Sequence, residues 1–119
     1  MKQVAVVIGG GQTLGAFLCR GLAAEGYRIA VVDIQSDKAA SVAQEINAEF
    51  GEGMAYGFGA DATSEHSVLA LSRGVDEIFG CVDLLVYSAG IAKAAFISDF
   101  ELGDFDRSLQ VNLVGYFLC

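Results

Sequence analysis

Four apolar runs recur along the chain: Gln3 to Ile8, Arg28 to Asp33, Met54 to Phe58 and Val82 to Ser88. Each is followed by a stretch whose apolar residues return at helical spacing. The first such stretch starts near Thr13 with Leu14, Phe17, Leu18 and Leu22 on one face, and ends at Gly26. The second turns Ala39, Val42, Ala43, Ile46 and Phe50 inward. The third follows Thr63 or Ser64 and buries Val68, Leu71, Val75, Ile78 and Phe79. A fourth begins near Asp104 and runs through Leu109, Leu113 and Phe117 to Cys119 without a glycine stop or a polar tail. Alternation of this kind predicts an α/β fold: a doubly wound parallel sheet of four strands. Right-handed crossovers give the order 3-2-1-4. The expectation is one domain over residues 1–119, cut within its fourth helix.

Composition narrows the partners. Apolar residues make up 54% of the chain and charged residues 18%, which suits a parallel sheet covered on both faces. The net charge of −8 comes with no basic cluster, so nucleic acid and anionic membrane surfaces are not expected partners. Cys19, Cys81 and Cys119 are irregularly spaced and His66 is the single histidine, too few ligands for a zinc site. No metal is expected. Unpaired thiols fit a reducing compartment, so the expected location is the cytoplasm. No run approaches the roughly 20 apolar residues of a membrane span.

The candidate chemistry lies where the strands end. Gly9-Gly10-Gly11-Gln12-Thr13-Leu14-Gly15 joins the first strand to its helix. Glycine permits positive φ and close approach of a phosphate to the backbone, and the helix start offers unpaired N–H groups. Without a Lys-Ser/Thr pair after the last glycine it is not a nucleoside-triphosphate loop. A flexible turn is the simpler alternative, but strand, turn and amphipathic helix stand in the order a dinucleotide site requires. Asp33 closes strand two, where a carboxylate accepts hydrogen bonds from both ribose hydroxyls and repels a 2′-phosphate. No cation follows before Lys38, so NAD is preferred to NADP. Asp61-Ala62 after strand three either binds the adenine edge or caps the next helix. Ser88-Ala89-Gly90 after strand four leaves room for the nicotinamide ribose, or is only a turn.

Taken in order, the glycine turn, Asp33, Asp61-Ala62, Ser88-Ala89-Gly90 and Gln110-Val111-Asn112-Leu113 resemble the motifs of the short-chain dehydrogenase/reductase family over the whole chain. The resemblance implies a Rossmann-like N-terminal half and cofactor contacts from Gly9, Gln12, Thr13, Leu14, Gly15, Asp33, Asp61, Ala62, Ser88, Ala89 and Gly90. It also implies a catalytic role for Asn112 in holding a water, the alternative being a mid-helix asparagine that merely bonds backbone and bends the helix. Segments Val7 to Gly15 and Leu85 to Lys93 look most like members that oxidise a sugar-alcohol phosphate with NAD, commonly as homo-tetramers. Two departures stand out. Ile8 and Thr13 replace the usual threonine and middle glycine, and Ser88 replaces an asparagine. The Thr13 Cβ either crowds the pyrophosphate or its hydroxyl bonds it. The family's serine, tyrosine and lysine have no counterpart: none of Tyr27, Tyr56, Tyr87 and Tyr116 is followed by lysine at the fourth position. A phenol with an ordinary pKa near ~10 is a poor base at neutral pH, so the 119 residues alone are not expected to turn over substrate. Lys93 is a weaker candidate: it sits just past the end of strand four, within reach of a sugar phosphate, but a lysine facing solvent is the simpler reading.

Two other functions fit parts of the pattern. A non-catalytic NAD-binding module, complete as given, explains the glycine turn but leaves strand four as an exposed apolar edge. A methyltransferase also places acids after strands two and three, yet the chain contains no proline for the usual motif after strand four.

Overall fold

Strand β1 (Val4–Ile8) is buried at every residue, because it lies inside a parallel sheet with partners on both sides. In the computed structural model, which describes residues 1–119, the order is β3-β2-β1-β4, the order expected from the sequence. β2 (Arg28–Asp33), β3 (Ala55–Gly59) and β4 (Leu84–Tyr87) complete the sheet. Val6 faces Ala30 on one side and Leu85 on the other. Strand alternation splits the core in two. Ala5, Val7, Ile29 and Val31 pack under helices α1 (Thr13–Ala24) and α2 (Ser36–Phe50). Val4, Val6, Ile8, Ala30 and Val32 meet Leu71, Val75 and Phe79 of α3 (Glu65–Phe79). Ser64 caps α3, its hydroxyl accepting from the Ser67 N–H, and Gly80 ends it in the left-handed region at φ 76.

Helix α1 departs from the expected face. Leu14 and Phe17 are 65% and 75% exposed, while Gly15, Cys19 and Ala23 face the sheet. The helix lies too close to β1 for large side chains: a methyl at Gly10 would come within 2.9 Å of the Cys19 sulfur. Burial pushes the Cys19 thiol up to about 12, so it packs as a small apolar group.

The strand boundaries shift by a residue or two. β4 is shorter than the apolar run Val82 to Ser88, since its pairing with β1 covers only Leu84–Tyr87. The fourth helix starts at Leu102 and is interrupted. α4 (Leu102–Leu109) passes into a π turn (Gln110–Val114) and then α5 (Gly115–Leu118). A 3-10 turn (Ile97–Asp99) precedes it in the loop. The Tyr87 hydroxyl, reaching from β4, donates to the Val111 carbonyl. The Gly115 N–H instead reaches back to Gln110, and a side chain entering the helical ladder is an established cause of such a widened turn. Gly115 permits it, because a Cβ there would overlap the Tyr87 hydroxyl. No helix is long and apolar enough to cross a membrane.

Candidate functional site

The carboxyl ends of the four strands open onto one cavity of about 290 Å³, the position where open α/β sheets take ligands. Gly9, Gln12, Thr13, Asp33, Asp61, Ala62, Ser88, Ala89 and Gly90 all line it. Leu14 and Gly15 do not. Leu14 points to solvent and Gly15 packs behind the turn.

The glycine turn is shaped by contacts on three sides. Gly9 has φ 81, and a Cβ on it would come within 2.7 Å of the Ala89 nitrogen. The N–H groups of Gly9 and Gly10 both donate to the Val32 carbonyl at 2.8 Å. No side chain caps α1, so the N–H groups of its first turn have no capping partner. Thr13 occupies φ 50, the left-handed region where a β-branched residue is strained. The steric penalty is about 1–2 kcal/mol, against roughly 0.5–1 kcal/mol of extra backbone entropy for glycine. Thr13→Gly is therefore expected to raise stability by up to about 1 kcal/mol in chemical denaturation. A loss of stability would show that the threonine hydroxyl makes a compensating bond.

Asp33 is 7% exposed, the one buried charged residue of the chain. Its Oδ2 accepts from the Gly11 N–H at 3.1 Å and its Oδ1 from the Gln35 N–H at 3.0 Å. The carboxylate thus fastens the glycine turn to the end of β2, and each oxygen keeps acceptor capacity for a further donor. Lys38 of α2 donates to the side-chain oxygen of Gln12 at 2.5 Å.

Asp61 Oδ1 accepts from the Thr63 hydroxyl at 2.7 Å and the Thr63 N–H at 2.9 Å. These bonds, the hydroxyl first, hold its carboxyl below the usual carboxylate range. The charged form is favoured in the folded state, so the contribution is present above the unfolded-chain pKa near ~3.9 and fades as pH falls through the lower folded value. Thr63→Val should move the Asp61 titration upward in a carbon-detected NMR titration. No movement would show that the hydroxyl does not hold the carboxylate. The alternatives of adenine contact and helix capping resolve in part: Ser64, not Asp61, caps α3.

Asn112 does not line the cavity. Its Oδ1 accepts from the Ile91 N–H at 3.0 Å, and its Nδ2 donates to the Ile91 carbonyl at 2.9 Å and the Ser108 hydroxyl at 3.1 Å. The side chain braces the loop after β4 against the π turn. Lys93 is ion-paired with Asp104, so its charge is already matched. Tyr87 lines the cavity, but burial, and then the charges of Cys119 and Asp61, push its phenol up, away from a base at neutral pH.

Several lining residues were given no site role from the sequence: Ile34, Gln35, Ala60, Thr63, Tyr87, Ile91, Arg107 and Val111. The signal for Arg107 and Val111 was their four-residue spacing on the helix that carries Asn112, which puts them on one face.

The chain resembles known proteins along nearly its whole length. Residues 3–119 match the short chain dehydrogenase family. The chain is 92% identical to sorbitol-6-phosphate 2-dehydrogenase of Escherichia coli strain K12, covering all of this chain and 46% of that protein. D-threitol dehydrogenase of Mycolicibacterium smegmatis is 36% identical over 98% of this chain and 44% of its own length. The crystal structure of sorbitol-6-phosphate 2-dehydrogenase from Erwinia amylovora superposes with a TM-score of 0.94 at 67% identity, over 97% of this chain and 45% of that one. The 3-ketoacyl-(acyl-carrier-protein) reductase of Brucella melitensis, crystallised with NADH, gives 0.89 at 31% identity, over 98% of this chain and 46% of that one. The chain spans about half the length of the relatives it matches.

Proposed function

Because the chain belongs to the short-chain dehydrogenase family, we propose that it forms the NAD-binding half of an oxidoreductase that converts sorbitol 6-phosphate to fructose 6-phosphate. Bound NAD supplies a hydride acceptor, and this half of the protein supplies the grip. Asp33 takes the hydroxyls of the adenosine ribose, while the first turn of α1 and the backbone of Gln12 and Thr13 take the pyrophosphate. Asp61 and Ala62 border the adenine, and Ser88, Ala89 and Gly90 leave space for the nicotinamide ribose. Gly9 and Gly15 act by what they lack, keeping the turn clear of side chains. Asn112 is a positioning residue that fixes the loop after β4.

The observation that carries the cofactor is Asp33: a buried carboxylate with spare acceptor capacity, held at the cavity by Gly11 and Gln35. The sugar phosphate is carried by the identity to the Escherichia coli and Erwinia amylovora enzymes. Calorimetry of the full-length polypeptide with NAD tests the first part, and NADH formation on adding sorbitol 6-phosphate tests the second. A folded protein that gives no heat with NAD would end the dinucleotide reading. Heat without turnover would leave the cofactor and remove the substrate.

The full-length protein is proposed to be a homo-oligomer. Leu102, Phe105, Leu109, Leu113 and Tyr116 are exposed at helical spacing along α4, the π turn and α5. Such a stripe is more apolar than a solvated helix face needs. Phe105→Glu is expected to shift the mass measured by light scattering to a smaller assembly. An unchanged mass would take this face out of the interface.

A further inference from the structure

Tyr87, the last residue of β4, touches the helical segment at two points. Its hydroxyl donates to the Val111 carbonyl, and its ring meets Tyr116 edge-on with centroids 5.9 Å apart. In an unbroken α-helix that carbonyl would take the N–H of Gly115, four residues on. Here the Gly115 N–H goes to Gln110, and the tyrosine supplies the donor that the helix gives up. The turn from Gln110 to Val114 therefore holds one residue more than an α turn. It offsets the residues before it by about 100° round the axis from their places in a continuous α-helix. That offset decides what the helix presents to the cavity. Arg107 and Val111 line it. Asn112, inside the turn, holds both backbone groups of Ile91, and a Cβ on Gly90 would come within 3.3 Å of its Oδ1. Gly90 and Ile91 are themselves part of the cavity wall.

We propose that the Tyr87 hydroxyl is a positioning group for the reaction: by holding the π turn open it aims Asn112 at Ile91 and so fixes the cavity wall where the nicotinamide end of the cofactor lies. The inference rests on the oxidoreductase reading and adds a residue to it. Without the hydroxyl, the half-buried Val111 carbonyl loses its donor, and the Gly115 N–H is the nearest replacement. Taking it closes the turn to an α-helix and swings Asn112 off Ile91. Asp33 and the glycine turn grip the other end of NAD, so the loss should misplace the reacting ring without releasing the cofactor.

Tyr87→Phe in the full-length protein keeps the ring and its contact with Tyr116 and removes only the hydroxyl. With NAD and sorbitol 6-phosphate, kcat should fall at least tenfold while KM for NAD stays within threefold. Crystals of the variant should show the Gly115 N–H on the Val111 carbonyl and Ile91 free of Asn112. Because Tyr87 acts through Asn112, Asn112→Ala should lower kcat by a similar factor and the double variant no further. A kcat within twofold of the native value, or losses that multiply in the double variant, overturns the proposal. Gly115→Ala attacks the same contact from the helix, since its Cβ would overlap the hydroxyl. If Tyr87→Phe does not fold, a native kcat in Gly115→Ala overturns the proposal and a tenfold loss supports it. A native protein that does not turn over sorbitol 6-phosphate removes the functional reading instead, and the place of Ile91 in crystals of the variant then decides the role of Tyr87.

Discussion

Asp33→Ala should lower NAD affinity of the full-length protein at least tenfold. Hydrogen bonds to a charged group are worth about 1.5–3 kcal/mol each, and one such bond already exceeds the ~1.4 kcal/mol that tenfold requires. The variant loses more than ligand contacts. Asp33 also accepts from Gly11 and Gln35, so its removal takes away one of the ties between the glycine turn and β2, leaving the Gly9 and Gly10 bonds to Val32, and it strands the buried Gly11 N–H without a partner. Calorimetry reports the affinity, and thermal unfolding reports the loosened turn. If Tm drops while NAD affinity is unchanged, Asp33 is a structural clamp and no part of the cofactor site.

The meeting of Asp33 with the glycine turn was legible from the sequence. A carboxylate closing a strand and a glycine turn closing its neighbour must meet when strands one and two are adjacent and parallel. The order of the sheet followed from alternating apolar runs, because crossovers leave few alternatives. The face of α1 was not legible. Spacing of large apolar residues picked Leu14 and Phe17, but close packing on β1 demands Gly15, Cys19 and Ala23, and small residues give a weak periodic signal. The π turn was equally hidden, since its cause is a tyrosine on β4 meeting a carbonyl 24 residues later. Asn112 was found through its motif, yet its bonds to Ile91 belong to the tertiary structure. The Lys38–Gln12 contact joins two polar residues on separate elements, and no local pattern announces it.

Gly15→Ala should cost more than about 3 kcal/mol, beyond the ordinary range for a single methyl group. An alanine Cβ at this position would overlap the Gly9 carbonyl oxygen and lie 2.7 Å from the Gly9 carbonyl carbon and 3.0 Å from Gly10 Cα. All three are backbone atoms of the turn, and Gly9 is itself wedged against Ala89, so relief must come from moving α1 away from β1. Such a movement would open the packing around Cys19 and carry the first turn of the helix out of reach of a bound pyrophosphate. Stability and NAD affinity are therefore expected to fall together. Gly21→Ala, on the same helix, supplies the contrast: a Cβ there meets nothing within 4 Å, and alanine is preferred to glycine in a helix by up to about 1 kcal/mol. It should stabilise. A Gly15→Ala protein that unfolds within about 1 kcal/mol of the native one would mean the helix lies farther from the turn than these contacts require.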